Sequence, residues 1–241
     1  MLFSNHQTGF MSAAGVVARV AMRPPSTVLS AQVTSDGEIV IAAPIARAGI
    51  TRPLHVIARA TGEVVRSFGD IELRPGEDRE WAARRTIGLS DAGTLWAARV
   101  NRYEIQKWTT DGRLLHTITR QPAWFPPWLQ FGHTTQGAPR LEPLLAGVVE
   151  DGEGLLWVCV LVPKAGATKA LPSGSALSAA FDETFDTVID VIDPEANALV
   201  ATRRFEGAMR GFFSGKLMVR VYSDTSDIPR LDLLEVRLRR K

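Results

Sequence analysis

An all-β chain built of repeated four-stranded antiparallel units is predicted by three features of this 241-residue sequence. A hairpin worded "LSDAGTLWAARV" (89–100) recurs as "VTSDGEIVIAAP" (33–44), "VVEDGEGLLWVCVLV" (148–162) and, more loosely, "RGFFSGKLMVRVY" (210–222). The glycines closing these turns, Gly37, Gly93, Gly154 and Gly215, stand 56, 61 and 61 residues apart, a period long enough for one supersecondary unit. The first three hairpins are each followed by a second one: "LHVIARATGEVVRSF" (54–68), "YEIQKWTTDGRLLHTI" (103–118) and "TVIDVIDPEANALVATRRF" (187–205). Thr61-Gly62 and Asp111-Gly112 accept the positive φ of tight hairpins, and Asp193-Pro194 opens a longer turn.

The second strand of each unit ("EIVIAA", "TLWAARV", "LLWVCVLV", "KLMVRVY") is apolar almost throughout or carries large residues on both faces. Such a strand is covered on both sides, as when small twisted sheets stack radially. A flat two-sheet sandwich would show cleaner alternation. The expected fold is therefore a β-propeller of four-stranded antiparallel blades, about four in this chain. A partial blade spans 1–26, and blades follow at approximately 27–69, 84–120, 143–206 and 207–241.

The wording resembles the six-bladed β-propeller families of NHL and TolB-like type, whose blades carry a "DG-x-LWV … I-x-V-x-D-x-DG-x-LLRTI" pattern. "LSDAGTLWAARVNRYEIQKWTTDGRLLHTI" (89–118) matches it best. The resemblance covers most of the chain from about Val28 onward and speaks to fold more than to function. Six blades need about 250–350 residues, whereas this sequence holds four starts, so a partial or shortened member is expected. The last unit ends after its third strand, and "GVVARVAM" (15–22) reads as a fourth strand with no first strand before it. Either that strand closes a ring by completing the last blade, or the chain begins inside a blade and leaves strand edges open.

Composition excludes several classes. Hydrophobic content of 45% and charged content of 22% are ordinary globular values, and the net charge is only +2. The basic run "VRLRRK" reads as a solvated terminal strand, and no nucleic-acid partner is expected. No apolar run approaches the roughly 20 residues of a membrane span, and the N-terminus does not read as a signal peptide. Compartment is left open, although relatives of the resembled families are often exported to the periplasm or beyond. The single Cys159 excludes an internal disulfide, and its apolar run reads as a buried structural thiol.

In such a blade the turns joining strands one to two and three to four lie on one face. The remaining connections lie on the other. Here the first class is short, whereas the second is long: 44–53, 69–83, 119–142, 163–181 and 223–230. Binding is expected on the long-loop face. Loop 119–142 holds Trp124, Phe125, Trp128, Phe131 and His133 among prolines. These could form a stacking platform for a sugar or peptide or a protein-interaction hot spot, or fold over the rim as a lid, which is the simpler reading. Loop 163–181 reads as mobile.

Arg84 and Arg85 precede an inner strand and could offer an anion-binding group to the channel; pairing with Asp78 or Glu80 is the simpler alternative. Asp182, Glu183, Asp186 and Asp190 could supply oxygen ligands to Ca²⁺, but a solvated strand entry explains them with less. His6, His55, His116 and His133 lack metal-ligand spacing, and His133 is a bare general-base candidate. GxSxG, Walker and GxGxxG sequences are absent. The expected function is a non-enzymatic scaffold whose loop-rich face recognises a protein, peptide or glycan, with no cofactor. The alternative is a lactonase-like hydrolase with a divalent metal such as Ca²⁺ in the channel. That alternative requires residues such as Arg84, His133, Asp182 and Asp224 to converge.

Overall fold

The computed structural model describes residues 2–4, 7–12, 15–21, 30–34, 37–47, 50–90, 93–129, 141–167, 177–223 and 229–239. They form five antiparallel sheets and two short helices. Three sheets are complete four-stranded blades with strands in chain order. The first is β4 (Ser30–Val33), β5 (Ile39–Arg47), β6 (Ile50–Ile57) and β7 (Val64–Phe68). The second is β8 (Arg85–Leu89), β9 (Thr94–Arg99), β10 (Glu104–Thr109) and β11 (Leu114–Thr119). The third is β12 (Leu144–Glu150), β13 (Leu156–Pro163), β14 (Phe185–Asp193) and β15 (Ala198–Phe205). The fourth blade has three strands, β16 (Met209–Ser214), β17 (Leu217–Ser223) and β18 (Pro229–Glu235). Among the described residues the architecture is all-β with four propeller blades, where the resembled families have six.

A separate N-terminal sheet corrects one expectation. Strand β3 (Gly15–Ala21) pairs with β2 (Gln7–Ser12), which pairs with β1 (Leu2–Ser4), so two strands precede the segment read as having none. Gly9 and Ser12 interrupt the apolar pattern that would have announced them.

The turns follow their residues. Gly37, Gly62, Gly93, Gly112, Gly154 and Gly215 all have positive φ. The Asp193 carboxylate accepts from the backbone N–H groups of Glu195 and Ala196, opening the longer turn that Asn197 finishes at φ 50°. Pro44 sits where the β5–β6 register shifts, the one kind of interior position that tolerates a missing N–H.

The core lies between blades. Val40, Leu54 and Phe68 meet Ile87, Leu95 and Trp108 between the first two. Trp96, Tyr103 and Ile105 meet Val148, Val158 and Val188 between the second and third. Trp157, Cys159 and Ile189 meet Met209 and Met218 between the third and fourth. Innermost strands pack directly on one another, β4 on β8, β8 on β12 and β12 on β16. Glycine permits this: a Cβ on Gly88 would stand 1.9 Å from the Val148 carbonyl oxygen, and one on Gly147 2.8 Å from the Gly211 Cα. Between β4 and β8, hydroxyl and amide groups do the joining, since Ser30 Oγ and Gln32 Nε2 both donate to the Ile87 carbonyl.

Tryptophans three residues after the turn glycine staple neighbouring blades on the short-turn face. Trp96 Nε1 donates to Glu150 of the third blade (2.7 Å), which also takes Lys107 (3.1 Å). Trp157 Nε1 donates to Asp151 of its own hairpin (2.8 Å), and Lys216 of the fourth blade lies 5.1 Å from the centre of the Trp157 ring.

Candidate functional site

The loop-rich face is built around three connections: 69–84, 100–103 and 120–129. Asp78 starts the one-turn helix α1 (Arg79–Ala83), its carboxylate accepting from Trp81 N at 3.0 Å. Just before it, the Glu77 carboxylate is sequestered. It accepts from Arg74 N (2.9 Å), from the Arg74 guanidinium (3.3 and 3.4 Å) and from Asn101 Nδ2 (2.6 Å). Burial alone would raise its pKa, but the bonds from Arg74 and Asn101 outweigh burial and hold it below the usual glutamate value.

The same donors reach the next loop. Arg74 Nη2 (2.7 Å) and Asn101 Nδ2 (3.0 Å) both donate to the Trp128 carbonyl. Trp128 N donates to the Asn101 carbonyl and Asp78 N to the Leu129 carbonyl. Trp81 packs edge-on against Trp128 at 5.1 Å. Three loops are thereby locked in one register, and Leu73 and Leu129 stand on them 43% and 38% exposed. Leu129 Cδ1 lies 3.8 Å from the Cβ position of Gly76, so the two leucines' loops touch at this point.

Beneath lie two buried arginines opposite one another in register, Arg85 on β8 and Arg99 on β9. Arg85 donates to the carbonyls of Ala82 (2.6 Å) and Arg84 (3.0 Å). Burial brings its guanidinium down to about 10, partly offset by Glu104 and Glu77, so it stays cationic at neutral pH. Arg99 and Arg102 share the Glu104 carboxylate (2.8 and 3.2 Å) and both donate to the Glu72 carbonyl.

This arrangement corrects several expectations. Phe125 (1% exposed) and Trp128 (5%) are core residues, and Trp128 Nε1 donates to the Pro143 carbonyl, so neither ring is open for stacking. Trp124 is half-buried, stacked on Phe125 and edge-on to Tyr103. Tyr103 and the Val158 strand create an apolar gap that these rings fill, which is why they point inward. Arg84 lies over the Trp81 ring (3.8 Å) and pairs with Glu80 (2.5 Å), while Arg85 turns to backbone carbonyls within the fold and presents no free group to a channel. Phe131, His133 and Asp224 lie outside the described residues.

The acidic cluster is dispersed and paired. Asp182 and Glu183 lie on helix α2 (Leu177–Thr184), not on a strand, so the tail of loop 163–181 is helical. Asp182 takes both arms of Arg220 (2.7 and 2.8 Å) and Ala208 N. Asp186 pairs with Arg204 (2.9 Å). Asp190 is fully buried between blades, accepting from Tyr103 Oη (2.8 Å) and Arg120 Nη1 (2.5 Å). Burial and then the Asp190 charge push the Tyr103 phenol well above its usual 10. Among the described residues no group of three or more His, Cys, Asp or Glu is placed to hold a metal ion. Arg84 and Asp182 serve separate ion pairs, and no described helix is long and apolar enough to cross a membrane.

Sequence reading missed Glu77, Asn101 and Tyr103, and took Asp190 only as one member of the acidic cluster. Their partners come from other loops or blades, 24 residues away for Glu77 and Asn101 and 87 for Tyr103 and Asp190. The only sequence signal was an acid within an apolar strand, "TVIDVI", which demands a buried partner.

The architecture defines the class as a β-propeller arrangement. No protein-family model matches the chain, and no curated protein matches it. Solved structures do. The chain is similar to a member of the DUF4221 family from Bacteroides vulgatus (TM-score 0.52, 8% identity, 96% of this chain and 73% of that one). It is also similar to a protein of unknown function from Bacteroides caccae (0.47, 12%, 95% and 71%) and to hydrazine synthase of Kuenenia stuttgartiensis (0.49, 14%, 96% and 57%). At 8% identity the likeness to the DUF4221 member concerns the fold alone.

Proposed function

We propose that the protein is a non-enzymatic propeller scaffold that presents its loop-rich face to a protein or peptide partner. The observation that carries this reading is the exposed pair Leu73 and Leu129, held on loops clamped by the buried Glu77, Arg74 and Asn101 network. Pre-ordered loops lose little entropy on binding, and exposed aliphatic side chains suit a protein or peptide. A glycan would call for open aromatic rings, and Phe125 and Trp128 are buried. The repeat wording supports kinship with the NHL and TolB-like propellers, whose full ring has six blades. A lactonase-like activity draws no support from the described carboxylates, because Asp182, Asp186 and Asp190 are each neutralised by an arginine.

The test is capture of partners from a lysate of the source cell on immobilised protein, alongside a Leu73→Asp, Leu129→Asp double variant. Both side chains are exposed, so the melting temperature stays unchanged while the captured partner falls by about tenfold or more. A partner retained equally by both proteins overturns the assignment of this face.

A further inference from the structure

The short-turn face has a different chemistry where the hairpin turn of the third blade meets the fourth. A cavity of about 430 Å³ is lined there by Asp151, Glu153, Leu155, Trp157, Lys216, Glu235, Arg237 and Leu238. That volume suits a small organic molecule. The lining groups differ in what they have left to offer. Asp151 is saturated: Oδ1 accepts from Glu153 N and Leu155 N (both 3.0 Å), and Oδ2 from Trp157 Nε1 (2.8 Å) and Lys216 Nζ (3.5 Å). Burial would raise its pKa, but these donors hold it ionised below the usual aspartate value. It therefore acts as an internal anchor that fixes Lys216 over the indole.

Lys216 is 31% exposed, and its ammonium has three donors of which Asp151 takes one. On the neighbouring segment, where Val236 N donates to the Lys216 carbonyl, Glu235 and Arg237 form an exposed pair at 2.5 Å. Exposed pairs of this kind contribute little and reorganise readily around a better partner. The wall thus offers ammonium and guanidinium donors, the carboxylates of Glu153 and Glu235, and apolar surface from Leu155 and Leu238. A purely anionic ligand would meet Asp151 and Glu235, and a purely cationic one would meet Lys216 and Arg237. A molecule carrying both charges finds a partner of opposite sign for each.

We infer that this cavity binds a zwitterion with an apolar side chain, of the size of an amino acid or dipeptide. Its carboxylate pairs with Lys216 and Arg237, its ammonium with Glu235, and its side chain lies on Leu155 and Leu238.

The experiment is isothermal titration of the full chain with leucyl-leucine and, in parallel, with N-acetyl-leucyl-leucine amide, which keeps the shape and lacks both charges. Saturable binding of the free dipeptide at about 10 mM or below is expected, weakened at least tenfold by blocking the termini. Lys216→Met and, independently, Leu238→Asp should each weaken it at least tenfold, with far-ultraviolet circular dichroism and melting confirming that both variants fold. Val65→Asp, an exposed position on the first blade, should leave it unchanged. Absence of binding by the folded wild-type chain overturns the inference. So do equal affinities for the free and blocked dipeptides, or unaltered binding by both cavity variants.

Discussion

Gly88→Ala adds one methyl group to an inner strand and should be among the most damaging single substitutions in the molecule. The new Cβ would stand 1.9 Å from the Val148 carbonyl oxygen, 2.8 Å from the Val148 carbonyl carbon and 3.2 Å from the Val149 Cα. An ordinary carbon–oxygen contact needs about 3.3 Å, so β8 and β12 must separate by well over an ångström. Neither strand can retreat freely. Gly88 is paired with Trp96, Val148 is paired with Val158, and Gly147 on the far side of β12 is already against Gly211. Overpacking of a rigid site costs about 1–3 kcal/mol and more where backbone is the obstacle, so about 3 kcal/mol is expected. For a chain of this length that lowers the melting temperature by roughly 6–12 °C. The control is Gly93→Ala, where nothing lies within 4 Å of the new Cβ but φ is +69°. It pays the backbone term alone, about 1 kcal/mol, or roughly 2–4 °C. Thermal unfolding followed by circular dichroism compares the two. If Gly88→Ala melts as high as Gly93→Ala, inner strands do not meet backbone to backbone, and the account of the propeller centre fails.

Two further predictions follow from buried titratable groups. His55 is fully buried with Nε2 between the Ala43 (3.0 Å) and Arg52 (2.9 Å) carbonyls and Nδ1 2.8 Å from Ser67 Oγ, so the neutral ring donates from Nε2 and accepts from Ser67. Burial lowers its folded pKa below 6.5 despite the two carbonyl bonds. Below pH 6.5 the unfolded chain therefore binds a proton that the folded chain refuses. Stability is complete above that pH and is lost as pH falls towards the folded value, by at most about 1.4 kcal/mol per pH unit. Urea midpoints at about pH 7.5 and 5.5 should differ in the wild type and converge in His55→Gln; an unchanged slope would show that another group carries the effect. Cys159, whose thiol burial pushes up to about 12 and whose Sγ faces the Met209 carbonyl, should resist thiol reagents at about pH 8 until urea unfolds the chain. Rapid labelling of the native protein would contradict its placement between the third and fourth blades.

What was legible in the sequence was local. Asp-Gly and Thr-Gly turns, alternating strands and tryptophans after the turn glycines identify the sheets because a hairpin is specified by residues a few positions apart. The two helices were less legible, since α1 is a single turn whose Asp78 cap stands within the charged run "GEDREW". The direction of the aromatic loop was not legible at all. Trp124, Phe125 and Trp128 have the composition of a binding platform, and only the apolar gap between β10 and β13 decides that they turn inward. Charges followed the same rule. Asp190 read as one member of a solvated cluster, whereas its neutralising Arg120 lies 70 residues earlier, on the neighbouring blade.

The staple at Trp96 also makes the blades non-interchangeable. Its indole is met by Glu150, which stands four residues before the turn glycine Gly154; the equivalent places in the other units are Val33, Leu89 and Gly211. A shuffled chain that placed any other unit after the second blade would bury an indole N–H with no acceptor. The order of the units is therefore written in side-chain chemistry as well as in the covalent chain, and gene-level duplication of this blade would demand a matching acid in whatever comes next.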